Sequence, residues 1–95
     1  MTVAELKQCL LGLFGDLDSP RILGKRYLDL YPHEKQRALL LAARIQSSQT
    51  GSSSALRKLL ARQREFDFQN GEIVIVDGWI LSQTEVEVCA LTVLL

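Results

Sequence analysis

Histidine occurs once in this sequence and cysteine twice, and none of the three stands where catalytic or metal chemistry needs it. His33 follows Pro32 at a helix start and has no second histidine to converge with, so a metal site lacks a ligand set. Cys9 and Cys89 sit in apolar segments at opposite ends of the chain, with no CxxC spacing. They read as two small buried hydrophobes before they read as a disulfide, a redox pair or a Cys–His nucleophile. The six glycines are isolated, so no glycine-rich loop is built to cradle a phosphate. Carboxylates are scattered, and the best placed have local duties: Glu5 and Glu85 at helix starts, Asp77 in a turn. No pair is left to share a proton. These absences set the expectation of no enzyme, no cofactor and no metal. No apolar run approaches the ~18 residues that cross a bilayer. The start, Met1 to Glu5, lacks the basic then apolar pattern of a secretory signal. A cytoplasmic protein without membrane contact is expected.

Charge of one sign is missing locally, although the formal net charge is zero. Residues 66–95 carry Asp67, Glu72, Asp77, Glu85 and Glu87 and no Lys or Arg, a local net charge of −5. Residues 21–65 carry ten basic residues against Asp29, Glu34 and Glu65, a net +7. Two explanations stand side by side: a face that binds a polyanion, or an acidic end folded against a basic middle.

What is present is a series of well-marked elements. Thr2-Val3-Ala4-Glu5 is a capping box, and Val3, Leu6, Leu10 and Leu13 follow on one helical face up to Gly15. Ser19-Pro20 opens a second helix, with Ile22, Leu23, Tyr27 and Leu30 as its inner stripe. Tyr31-Pro32 ends it. A third helix, roughly 33 to 46, has a wide apolar arc through Leu39, Leu40, Leu41 and Ile45, and should be central. Residues 47–54 form a polar, Ser-rich flexible loop. A fourth helix, about 54 to 65, puts Leu56, Leu59 and Leu60 on one side and Arg57, Lys58, Arg62 and Arg64 on the other.

Beyond it, Phe66-Asp67-Phe68 alternates as a strand would, and Gln69-Asn70-Gly71-Glu72 signals a turn. Ile73 to Val76, Asp77-Gly78 and Trp79 to Leu81 then predict a β-hairpin. The sheet has two or three strands. Ser82-Gln83-Thr84-Glu85 is a second capping box, and it opens a terminal helix to Leu95. Glu85-Val86-Glu87-Val88 also alternates, but the box and the Ala and Leu content favour helix.

That last helix is apolar on both sides: Val86, Cys89, Ala90, Val93 and Leu94 on one, Val88, Leu91 and Leu95 on the other. It is either sandwiched within the domain or partly covered by a partner. Trp79 is first a core residue of the small sheet and, if exposed, an anchor for a partner. The candidate partner-binding residues are therefore Trp79, Val88, Leu91 and Leu95. The candidate polyanion-binding residues are Arg57, Lys58, Arg62 and Arg64.

Val76-Asp77-Gly78-Trp79-Ile80-Leu81-Ser82, with Thr84-Glu85 and Cys89-Ala90-Leu91, resembles the C-terminal motif of a group of small, uncharacterised bacterial proteins. In that group a Gly-Trp-x-Leu-Ser-x-Thr-Glu stretch runs into a terminal helix rich in Ala and Leu. Leu23-Gly24-Lys25-Arg26-Tyr27-Leu28 is similar to an upstream Gly-x-x-Tyr-Leu element of the same proteins. The resemblance covers about a third of the chain and implies a helical terminus. It implies no activity.

The fold class expected is α+β and mostly helical: four helices, a small antiparallel hairpin and a C-terminal helix, in a single domain over residues 1–95. The sheet is expected against the third and the terminal helix. The expected function is that of a small non-enzymatic accessory or adaptor protein, acting by self-association or by docking on a larger protein partner. The alternative is a nucleic-acid-binding regulator using the basic helix 55–65. Redox sensing by Cys9 and Cys89 is the weakest reading.

Overall fold

The computed structural model describes residues 2–15, 18–47 and 53–95, the side chains of residues 13 and 53 excepted. Among these residues the chain forms five helices and one two-stranded sheet. The helices are α1 (Val3–Phe14), α2 (Asp18–Leu30), α3 (Lys35–Ser47), α4 (Ser53–Gln69) and α5 (Gln83–Leu94). The strands are β1 (Ile73–Val76) and β2 (Trp79–Ser82), and a 3-10 turn at Pro32–Glu34 leads into α3. This is the mostly helical α+β class with a hairpin and a C-terminal helix. The expected loop at 47–54 lies largely outside the described residues; Ser47 closes α3 and Ser53 opens α4.

The local signals act as their chemistry dictates. The Thr2 hydroxyl accepts from the Glu5 amide at 3.2 Å at the start of α1. At the start of α5 the Ser82 hydroxyl accepts from the Glu85 amide at 3.0 Å, and the Glu85 carboxylate accepts from the Ser82 amide at 3.0 Å. Asp77 and Gly78 both have positive φ, 50° and 84°, which a two-residue turn between right-twisted strands requires. The strands pair antiparallel, with Val76 opposite Trp79 and Ile75 opposite Ile80.

α5 is the hub. It packs against α1, α2, α3, α4 and both strands. Its residues from Val86 through Thr92 are all buried. The closest approach is to α2 at Gly24: a Cβ there would overlap the Cys89 carbonyl and stand 2.8 Å from the Ala90 amide nitrogen. A glycine is the residue that lets two helix backbones come this near. Leu6 and Leu10 of α1, Tyr27 of α2, Ala38, Ala42 and Ile45 of α3, and Leu56 and Leu60 of α4 close around Val86, Val88, Ala90 and Leu91 as one core.

Five expectations are corrected. α3 is not the central helix: it touches α5 through Ala38, Ala42 and Ile45, while Leu39 and Leu40 turn outward, Leu40 being 61% exposed. Small alanines permit close contact on one face, and α5, apolar on both sides, takes the interior. α4 runs on to Gln69, so Phe66-Asp67-Phe68 is helix and there is no third strand among the described residues. The Asn70-Gly71-Glu72 turn is instead the end of α4. There the Gly71 amide bonds the Phe68 carbonyl (3.4 Å) and the Glu72 amide bonds the Asp67 carbonyl (2.8 Å), the pattern of a Schellman stop. The hairpin rests mainly on α2, α4 and α5 rather than on α3. Trp79 is not core: it is 64% exposed. Within the stripe expected for α2, Ile22 and Leu30 are also exposed, and Pro20, Gly24 and Tyr27 are the buried residues.

Candidate interaction surface

The hairpin has two unlike faces. Strand alternation puts Val74, Val76 and Leu81 toward the helices, with Val76 fully buried. Ile73, Ile75 and Ile80 take the opposite parity and are 44%, 58% and 60% exposed. Ile75 and Ile80 are direct cross-strand partners, so their side chains stand together. Tyr31, at the end of α2, lines a groove of about 390 Å³ with Ile73, Val74 and Ile75. The tip carries Trp79, and Asp77 ties it to α2 by accepting from Arg26 Nε at 3.0 Å. Both ends of that ion pair are half exposed, so it orients the tip and adds only about 0–1 kcal/mol. Single exposed apolar side chains are ordinary on protein surfaces; a sheet face made of three isoleucines beside an exposed tyrosine is not.

Of the four residues expected to meet a partner, Trp79 alone is well exposed. Val88 and Leu91 lie in the core, and Leu95 is half buried against it. The reading of that stripe as an outer surface is corrected, because α1, α2, α3 and α4 between them cover both sides of α5. The three exposed isoleucines of the hairpin were not singled out from the sequence. The pairing register, once Asp77-Gly78 is read as the turn, carries the signal that finds them.

The four basic residues of α4 divide. Arg57 Nη2 donates to the Gly12 carbonyl at 2.9 Å, near the end of α1. Arg64 Nε stands 3.4 Å from Glu85 Oε1, with its guanidinium over the Phe68 ring at 5.8 Å. Lys58 and Arg62 are exposed. With Arg26–Asp77, Arg37–Glu87 and Arg64–Glu85 in place, the acidic end of the chain is folded against its basic middle.

A second feature is polar. A groove of about 720 Å³ between α3 and α4, with the first turns of α5 on its floor, is lined by Arg37, Arg44, Phe66, Asp67, Thr84 and Glu87 among others. It brings together Asp67 and Glu87, two buried carboxylates that sequence spacing did not group. Asp67 Oδ2 accepts from the Thr84 amide at 2.8 Å, and its Oδ1 accepts from Gln63 Nε2 at 3.2 Å. The Gln83 amide bonds the Glu72 carbonyl at 2.9 Å. The first three amides of α5, from Gln83, Thr84 and Glu85, are therefore all satisfied, as a helix start buried in a core requires.

Glu87 stands 3.2 Å from Arg37 Nε. Burial pushes its carboxyl above the usual range, and Arg37 only partly offsets this. Burial also raises the Tyr27 hydroxyl, which accepts from Gln83 Nε2 at 3.1 Å. The Cys89 thiol is pushed up to about 12, by burial first and then by Glu85, so at neutral pH it is not a nucleophile. Cys9 is buried as well. His33 is exposed. Among the described residues no three His, Cys, Asp or Glu side chains are grouped to hold a metal ion, and no helix is long and apolar enough to cross a membrane. Comparison with protein-family models, with curated proteins and with solved structures finds no match to this chain.

Proposed function

We propose that this chain is a small, non-enzymatic, cytoplasmic accessory protein that works through protein–protein contacts made by the outer face of its hairpin. One observation carries the reading: Ile73, Ile75 and Ile80 form an apolar sheet face, 44%, 58% and 60% exposed, that no helix among the described residues covers; Trp79, opposite Val76, is exposed at the rim of the other face. A two-stranded sheet is marginal by itself and gains from cover on both faces. The groups that chemistry might use have structural work already. Asp67 and Glu85 hold the start of α5, Glu87 holds α3 to α5, and Cys89 is sealed in the core.

The nucleic-acid reading is the weaker one. Two of its four side chains, Arg57 and Arg64, are engaged within the fold, which leaves Lys58 and Arg62. A photo-crosslinking residue placed in living cells at position 80, at 75, or at 58 as a control separates the two. Protein adducts from 80 and 75 but not from 58 are the expected result. Nucleic acid adducts from 58, with none from 75 or 80, would replace this reading with the alternative.

A further inference from the structure

Behind the hairpin, where the end of α1 meets α2, α4, β2 and α5, lies a cleft of about 350 Å³. Its wall is apolar, made by Phe14, Leu23, Leu60, Leu81 and Val88. Leu60 and Val88 belong to the buried core, and the other three pack against it. The sequence of α4 explains why the space stays open. Arg57, Leu60, Ala61 and Arg64 stand at i, i+3, i+4 and i+7, on one face of that helix. The alanine between the two arginines is exposed, and its side chain is too short to close the gap.

We propose that this cleft binds a small amphipathic carboxylate, its apolar body against Phe14, Leu23, Leu60 and Leu81 and its carboxylate on Arg57. The proposal goes beyond the docking reading and is independent of it, because Leu81 faces the helices while Ile75 and Ile80 face away from them.

The apolar body follows from the wall. Sites for small molecules are clefts of roughly 300–1,000 Å³, lined mainly by apolar side chains with a few polar groups that orient the ligand. The charge follows from the mouth, where two guanidiniums differ in what they meet. Arg64 Nε stands 3.4 Å from Glu85 Oε1, so its charge is matched. Arg57 Nη2 donates to the Gly12 carbonyl, a neutral group, at 2.9 Å. Among the described residues no carboxylate pairs with Arg57. The bond to Gly12 fixes the guanidinium in advance and leaves its charge and its other donors for a ligand.

The sign and number of charges on the ligand are set by the same groups. A cation would be repelled by Arg57, and Glu85 is already held by Arg64 and by the Ser82 amide. A dianion would bring a second charge that Glu85 opposes and the apolar wall cannot solvate. One carboxylate at the end of an apolar chain or ring matches a planar guanidinium with donors to spare.

The test is a titration of the isotope-labelled full chain with octanoate to about 10 mM, read as amide shifts, with octanol and octylammonium as controls. The expected result is saturable shifts at Ala61, Leu81, Thr84 and Val88, with a dissociation constant of about 10 µM to 1 mM. Octanol and octylammonium should each bind at least about threefold more weakly, since neither offers an acceptor charge to Arg57. Arg57→Gln should weaken octanoate by at least about threefold, and Ala61→Trp, which fills the mouth, should abolish its binding. Both substituted positions are exposed, and unchanged urea midpoints establish that the variants fold. If either variant unfolds, the three probes on the natural chain decide alone. Absence of saturable octanoate binding overturns the proposal, as does octanol or octylammonium binding as tightly, or a smaller loss in folded Arg57→Gln. Shifts confined to Ile75 and Ile80 also overturn it. They would leave the outer hairpin face standing as the apolar surface that binds, whereas an empty cleft by itself leaves the crosslinks from positions 75 and 80 unaffected.

Discussion

At the scale of single residues, Gly24 sets how close α2 and α5 come. The atoms a Cβ would meet there belong to the α5 backbone, at Cys89 and Ala90, and backbone cannot rotate away as a side-chain end can. Gly24→Ala therefore forces the two helices apart around the most tightly packed crossing in the core. The cost expected is about 1–3 kcal/mol, the range for overpacking a close-packed interior, despite the better helix propensity of alanine. Urea denaturation measures it as a lower midpoint at unchanged slope. An equal or higher midpoint would mean that α2 shifts freely and that the crossing is not tight. Glu87 offers the second test at this scale. Its carboxyl is raised above the unfolded value, so its contribution to stability is complete below about pH 4.5 and is lost as pH rises through the raised folded value. Glu87→Gln removes this dependence, and Arg37, half exposed, then turns to water. The variant should gain on the natural chain between about pH 4 and pH 7, measured as urea midpoints at both. Parallel pH profiles would show that the folded-state carboxyl is not perturbed.

At the scale of elements, what was legible in the sequence was written within a few neighbouring residues. The caps at Thr2 and Ser82 and the turn at Asp77-Gly78 each depend on hydrogen bonds or φ angles spanning at most four positions; the full reciprocal box forms at Ser82, while at Thr2 the hydroxyl caps the Glu5 amide and the Glu5 carboxylate meets that hydroxyl rather than the Thr2 amide. The end of α2 at Tyr31-Pro32 is of the same kind. Phe66-Asp67-Phe68 misled because three alternating residues fit a strand and a helix face equally well. The choice is made from a distance, by the Asp67 carboxylate reaching the Thr84 amide and by Gln63 one turn before it. Burial of an aspartate at 4% exposure is tolerable only because those donors satisfy it. The grouping of Asp67 with Glu87 is equally remote, since it depends on which helices pack side by side. The exposed hairpin face lay between these cases. Its residues could be read, but whether helices cover one face of the sheet or both could not.

At the scale of the whole molecule, the position of α5 decides how the fold fails. Both α3 and α5 have apolar arcs in the sequence, and only one can occupy the middle of a domain this small. α5 can, because Gly24 admits its backbone on one side and Ala38 and Ala42 admit it on another, while its first amides find acceptors in Glu72, Asp67 and Ser82. A helix in contact with every other helix and both strands leaves no part of the core independent of it. Leu91, fully buried, tests this. Leu91→Asp loses the packing of a core leucine, about 2–5 kcal/mol, and adds the cost of a carboxyl that must be buried or must open the core. A domain of this length has about 5–14 kcal/mol to lose. The variant should therefore unfold or become a loose, cooperatively unstable chain, seen as loss of the far-UV helical signal and of a sharp urea transition. Were α5 an interface helix, the same substitution would instead leave a folded monomer with a normal transition. That outcome would return Val88 and Leu91 to the surface and undo the placement of α5. Ile80→Thr supplies the contrast: it lies outside the core, and its urea midpoint should fall by far less than that of any substitution at Leu91.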